Sequence, residues 1–195
     1  MNGLSKKYMN KKINQIKNLI KKECLNSNFV HDWFFPVHLL GVEKFAKNLL
    51  KKLPKADKEV VLLGVWLHDL QRIRGKKGDH AKVGARETEK VMKRFRYPKE
   101  TISHVKEIIS AHSCNTHLMP KTLEGKILAS ADAMSHYIND FYLIIATTGE
   151  SNLNDFKKWA LEKITKDYNK KIFFGFAKKL IEKRHKVLKE ILTMK

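Results

Sequence analysis

Apolar residues recur every three to four positions along almost the whole chain, and this spacing is the strongest constraint on its fold. Leu4, Tyr8, Ile13, Ile16, Leu19 and Ile20 form one stripe of a first helix whose other face is lysine. Pro36 stands where a second helix can begin; Val42, Phe45, Ala46 and Leu49 carry its apolar face until Pro54. Asp57 is a cap for a strongly apolar helix reaching about Leu70, and Arg72 to Gly78 reads as a basic loop between glycines. Asp79 caps a helix to about Phe95, and Pro98 opens one to about His112. Thr122 caps a long helix to about Thr148, and two lysine-rich amphipathic helices finish the chain, divided near Phe174–Gly175. No run alternates as a strand does, and no linker separates domains. The expectation is an all-α, single-domain bundle of about eight helices over residues 1–195.

Composition excludes several classes. With 43% hydrophobic residues the chain can bury a core, and 9 glycines and 4 prolines exclude collagen-like and low-complexity architectures. Lys and Arg number 40 against 20 Asp and Glu, a formal charge of +20 that favours acidic partners: phosphates, nucleic acid or an anionic surface. Cys24 and Cys114 cannot build a disulfide framework and read as two reduced thiols of a cytoplasmic protein. The longest uncharged apolar runs, Val60–Leu67 and Phe141–Thr148, are far short of the ~20 residues of a membrane span. The N-terminus lacks an apolar signal core. Oligomeric state leaves no trace in the sequence.

Charges set in apolar helices mark where chemistry is expected. His68 and Asp69 end the segment VVLLGVWLHDL, and Asp132 lies within ILASADAM; a carboxylate in such a setting is costly unless paired or bound to metal. His38 lies four residues before Val42 and eight before Ala46, so it points with the apolar face. Imidazole and carboxylate together suit a divalent cation such as Mn, Fe, Ni, Co, Zn or Mg. Neighbouring helical residues diverge by about 100°, so His68 and Asp69 can share an ion only over the edge between them.

The ordered set His38, His68–Asp69, Asp132 resembles the HD-domain superfamily of metal-dependent phosphohydrolases. HLLGVEKFA, GVWLHDL, GDHAKVGA, IISAHS and GKILASADAM resemble its successive motif segments, from about residue 36 to 137, with the helices of 155–195 completing the bundle. Many members carry Arg three residues after the first His; here that position is Gly41. The resemblance implies a divalent ion held by His38, His68, Asp69 and Asp132, with Asp69 also orienting or deprotonating the attacking water. His80 and His112 match positions that bind a second metal or contact phosphate in some relatives. His31, His104, His117, His136 and His185 match no ligand position and read as ordinary surface or core residues, although His117 could reach the mouth of the site. Arg72, Arg74, Lys76 and Lys77 follow the HD pair directly and are candidate phosphate contacts. The chain carries neither GxSxG nor GxxxxGK[ST].

These readings converge on hydrolysis of a phosphomonoester or phosphodiester, with a phosphorylated small molecule, a nucleotide above all, as the partner. Two alternatives stand beside it. One is a nucleic-acid-binding HD nuclease, favoured if the 13 Lys and Arg among residues 155–195 converge on the site. The other is a catalytically inactive HD interaction module, which has no need to keep buried charges.

Overall fold

A computed structural model of the chain describes residues 3–115, 118–138, 140–149 and 151–194. His117 lies outside the described residues. The described chain is helical and contains no β-strand. Its elements are α1 (Gly3–Leu25), a π-helical turn (Phe34–Leu39) running into α2 (Leu40–Lys52), α3 (Lys58–Leu67), α4 (Leu70–Ile73), α5 (His80–Arg94), α6 (Lys99–Ala111), α7 (Leu123–Ile138), α8 (Phe141–Thr148), α9 (Leu153–Lys166), a second π-helical turn (Asp167–Lys171) and α10 (Gly175–Thr193).

The caps fall where the sequence places them. The Asp57 carboxylate accepts from the backbone N–H groups of Glu59 and Val60, and Asp79 accepts from that of Lys82. The Thr122 hydroxyl accepts from the Gly125 N–H. Two expected helices are each broken in two, so eight become ten. The helix expected to reach Leu70 stops at Leu67; the chain turns through His68 and Asp69 and resumes as α4, which makes Arg72 helical rather than part of a loop. The helix expected to run to Thr148 ends at Ile138, and α8 starts afresh at Phe141, whose ring is buried among Trp33, His136 and Tyr142.

Helix α3 is buried on every side, from Val60 to Leu67. It crosses α6 and α7 so closely that a Cβ on Gly64 would lie 2.7 Å from Ile108 Cδ1. Small residues serve the same end on α7: Ala129, Ser130, Ala131 and Ala133 are fully buried and let α7 pack along α2. After α4 the chain needs left-handed backbone at Gly75 (φ +59°), with the Phe29 ring laid over the space a side chain would fill. The two π turns, the C-terminal ends of α3 and α6, the start of α5 and the middle of α7 thereby face one cavity.

Candidate metal centre

Backbone irregularities, more than helix faces, aim the side chains of this cavity. His38 comes from the widened turn before α2. Asp69 leaves helical geometry (φ −106°, ψ 16°), so the break after α3 turns it to the same side as His68 and removes the divergence of a continuous helix. Asp132 projects from the middle of α7. His38, His68, Asp69 and Asp132 are all at most 5% exposed.

Two carboxylates form the centre. Asp69 Oδ2 lies 3.2 Å from His38 Nε2 and 3.4 Å from His68 Nε2; its Oδ1 lies 3.5 Å from His80 Nε2 and 3.3 Å from Arg72 Nε. Asp132 Oδ1 lies 3.6 Å from His38 Nε2 and 3.9 Å from His68 Nε2. The ring of His112 stands edge-on to those of His68 and His80, with centroids 5.1 and 5.3 Å away. Among the described residues, two groups of buried side chains could each hold a metal ion: His38, His68 and Asp132, and His68, Asp69 and His112.

The hydrogen bonds on the far side of each ring decide which nitrogen faces the carboxylates. His68 Nδ1 donates to the Val65 carbonyl (2.9 Å) and His112 Nδ1 to that of Ile109. The Ser135 hydroxyl donates to the Asp132 carbonyl (2.7 Å), so its oxygen accepts from His38 Nδ1 at 3.3 Å. The Gln71 amide N–H donates to the Lys76 carbonyl, which leaves its oxygen to accept from His80 Nδ1 at 2.9 Å. Every Nδ1 thus carries the proton and every Nε2 presents a lone pair inward, the arrangement of metal-ligating histidines. A lone pair 3.2 Å from a carboxylate oxygen needs a cation between them. His68 Nε2, fully buried and without a hydrogen-bond partner, is where that need is plainest. The donor set fits a divalent cation.

Burial alone would raise both carboxyl groups, but the ring of groups around them, with Arg72 at Asp69 and Lys171 at Asp132, holds both well below the usual carboxylate range, so both are anionic acceptors for a cation. Burial takes His112 down to about 3. His80 is lowered too, chiefly by burial.

One wall was not legible beforehand. Lys171, from the second π turn, sits on Asp132 Oδ2 at 2.5 Å and leaves only Oδ1 facing the histidines. Asp167, one turn earlier, takes the Nδ1 proton of His136 at 2.8 Å. The ring of His136 stacks on that of His38 at 5.3 Å, with its Nε2 3.6 Å from Asp132 Oδ1. By spacing His136 is expected to be an ordinary residue, and neither Asp167 nor Lys171 stands out in the sequence; all three line the cavity. The hint available was that His136 lies four residues, one helical turn, after Asp132.

Among the expected phosphate contacts, Arg72, Lys76 and Lys77 line the cavity and Arg74 does not. The Arg74 guanidinium is taken by Glu23 (2.6 and 2.7 Å) and Glu87 (2.9 Å), so it ties α1 to α5. Two of the other histidines lie away from the cavity: His104 stands 3.5 Å from Glu124, and His185 stacks on Tyr168. His31 lines the cavity rim, and Cys114 is buried beside His112.

An all-helical bundle with histidines and aspartates gathered at a break between helices defines a class of metal-site proteins. The HD-domain family matches residues 37–136 of the chain, and the chain belongs to it. The fold is similar to that of an HD-superfamily hydrolase from Bacillus thuringiensis (TM-score 0.69, 18% identity, 94% of each chain covered). It is likewise similar to a protein from Listeria innocua (0.67, 18%, covering 98% of this chain and 94% of that one). A predicted HD-superfamily hydrolase from an uncultured Thermotogales bacterium shares it as well (0.59, 20%, 92% and 88%). No curated protein sequence matches the chain significantly.

Proposed function

We propose that the whole chain forms one HD-type domain that hydrolyses a phosphate ester, a nucleotide above all, using a divalent cation held by His38, His68, Asp69 and Asp132. The observation that carries this reading is the facing of Nε2 lone pairs and two buried carboxylates across gaps of 3.2–3.9 Å. A cation held there would supply a water of lowered pKa and polarise a phosphoryl oxygen.

The protein's own groups divide the remaining work. Asp69 would give Oδ2 to the cation side and keep Oδ1, between His80 and Arg72, to orient or deprotonate the attacking water. Arg72, with Lys76 and Lys77 behind it, holds the phosphoryl oxygens and offsets charge that builds up on them. Kept neutral by burial, His80 and His112 present lone pairs to the same cavity, where they would contact the phosphoryl group or, if a second cation binds, hold it. Lys171 holds Asp132 by its outer oxygen and keeps the inner one in place.

A small phosphate ester is favoured over a nucleic acid by where the basic residues stand. Lys163 and Lys171 are engaged by Asp167 and Asp132, Lys166 contacts Asn115, and no lysine of α10 lines the cavity. Chelation to verified metal-free protein should abolish turnover of a generic phosphoester, and Mn, Ni, Co, Mg or Zn should restore it. Unchanged turnover without metal would sink the mechanism. Metal counting on wild type, His80→Ala and His112→Ala separates the two roles: one ion throughout with a fall in turnover is expected for phosphate contacts, and a drop from two ions to one marks a second metal position.

A further inference from the structure

The cavity over the two aspartates encloses about 910 Å³, far more than a phosphoryl group fills and within the ~300–1,000 Å³ of pockets that hold whole small molecules. Its floor is polar, but its two rims share another chemistry. On one rim Trp159, 41% exposed, lies on α9 with Lys166 seven residues later on the same helix face, while Lys163 between them is held by Asp167 and lies over the Phe141 ring. On the other rim Phe29, 66% exposed, lies over the left-handed turn at Gly75, next to Lys76 and Lys77. Between the rims, Trp33 and Phe141 meet edge-on at 5.9 Å and line the same wall.

Lysines without rings would suit a sugar phosphate, and rings without lysines an uncharged apolar molecule. Rings paired with cations on both rims suit an anionic ester whose alcohol carries a planar ring. Resting on the phosphohydrolase reading above, we propose that Trp159 and Phe29 are specificity residues that hold the ring of the leaving alcohol. The substrate class is then a nucleoside phosphate, with its phosphoryl group at Asp69 and its base against the rim. Stacking on exposed aromatic side chains discriminates by roughly tenfold or more per ring.

The test separates this inference from the one it rests on. Tryptophan emission of the chelator-treated protein is followed during titration with adenosine 5′-monophosphate and with ribose 5-phosphate, and kcat/KM is measured for both on the metal-loaded protein. The expected result is a preference of about tenfold or more for the nucleotide in both measurements, reduced at least threefold by Trp159→Ala and by Phe29→Ala. Melting curves check that each variant folds, and Trp159→Gln replaces the alanine variant if needed. Turnover without preference, or a preference that neither variant reduces, overturns the role of the rims and leaves the phosphohydrolase standing. Saturable nucleotide binding without turnover under any metal supports the rims and removes the phosphohydrolase. Neither binding nor turnover overturns both.

Discussion

Arg74→Ala separates a substrate contact from a structural tie, the two roles open to an arginine that follows an HD pair so closely. Its side chain is 22% exposed and donates to Glu23 through two nitrogens and to Glu87 through a third. Glu87 is only 4% exposed and would keep Lys90 alone as a cationic partner. Hydrogen bonds to charged groups contribute about 1.5–3 kcal/mol each when buried, and partial exposure reduces that sharply. Three such bonds at reduced strength, with a carboxylate left in a poor environment, give a loss of about 2–3 kcal/mol. At about 2–4 °C per kcal/mol for a chain of this length, the midpoint of thermal unfolding should fall by roughly 5–10 °C. Arg74 does not line the cavity, so kcat/KM at a temperature where the variant remains folded should stay within about twofold of wild type, a barrier change under ~0.5 kcal/mol. An unchanged melting temperature with a more than tenfold loss of kcat/KM would refute the assignment and return Arg74 to the substrate.

Asp69→Ala should cost more than tenfold in turnover, over ~1.4 kcal/mol of barrier, with helical content by circular dichroism near wild type; retention of more than a tenth would remove Asp69 from the centre of the mechanism. Lys171→Met leaves the buried Asp132 without its lysine and should destabilise by about 3–5 kcal/mol, read by denaturant unfolding; a loss under 1 kcal/mol would show that the pair is not held as described. Acid should unfold the metal-free protein early. His112 and His136 are lowered from 6.5 to about 3 and about 4 by burial first, then by neighbouring cationic groups, so below pH 6.5 the unfolded chain binds protons the native one does not, and stability falls with pH down to those values. Asp167 adds to this at lower pH: burial would raise it, but His136 and Lys171 hold it at about 2, so its contribution is full above 3.8 and lost as pH drops toward 2. A melting temperature that stays flat from pH 7 to 4 would contradict the burial of these rings.

The sequence by itself determined most of the helices, the caps at Asp57, Asp79 and Thr122, and the ordered set of histidines and aspartates. These are local quantities: Asp57, Asp79 and Thr122 bond to backbone groups two or three residues away, and apolar spacing reports which face of a helix is buried. Charges inside VVLLGVWLHDL and ILASADAM stood out because their immediate neighbours are apolar. What lies across the bundle was decided by tertiary structure alone. The breaks at Asp69 and after Ile138, and the π turns carrying His38, Asp167 and Lys171, depart from the 3.6-residue period, and no sequence spacing shows them. They form because packing of α7 against α2, α3 and the segment 167–171 rewards the irregular backbone with buried contacts. Lys171 and Asp132 are 39 residues apart, and Arg74 and Glu23 are 51 apart. Whether a lysine or arginine faces solvent, a phosphate or a carboxylate depends on which element packs opposite it, and only the assembled bundle supplies that partner.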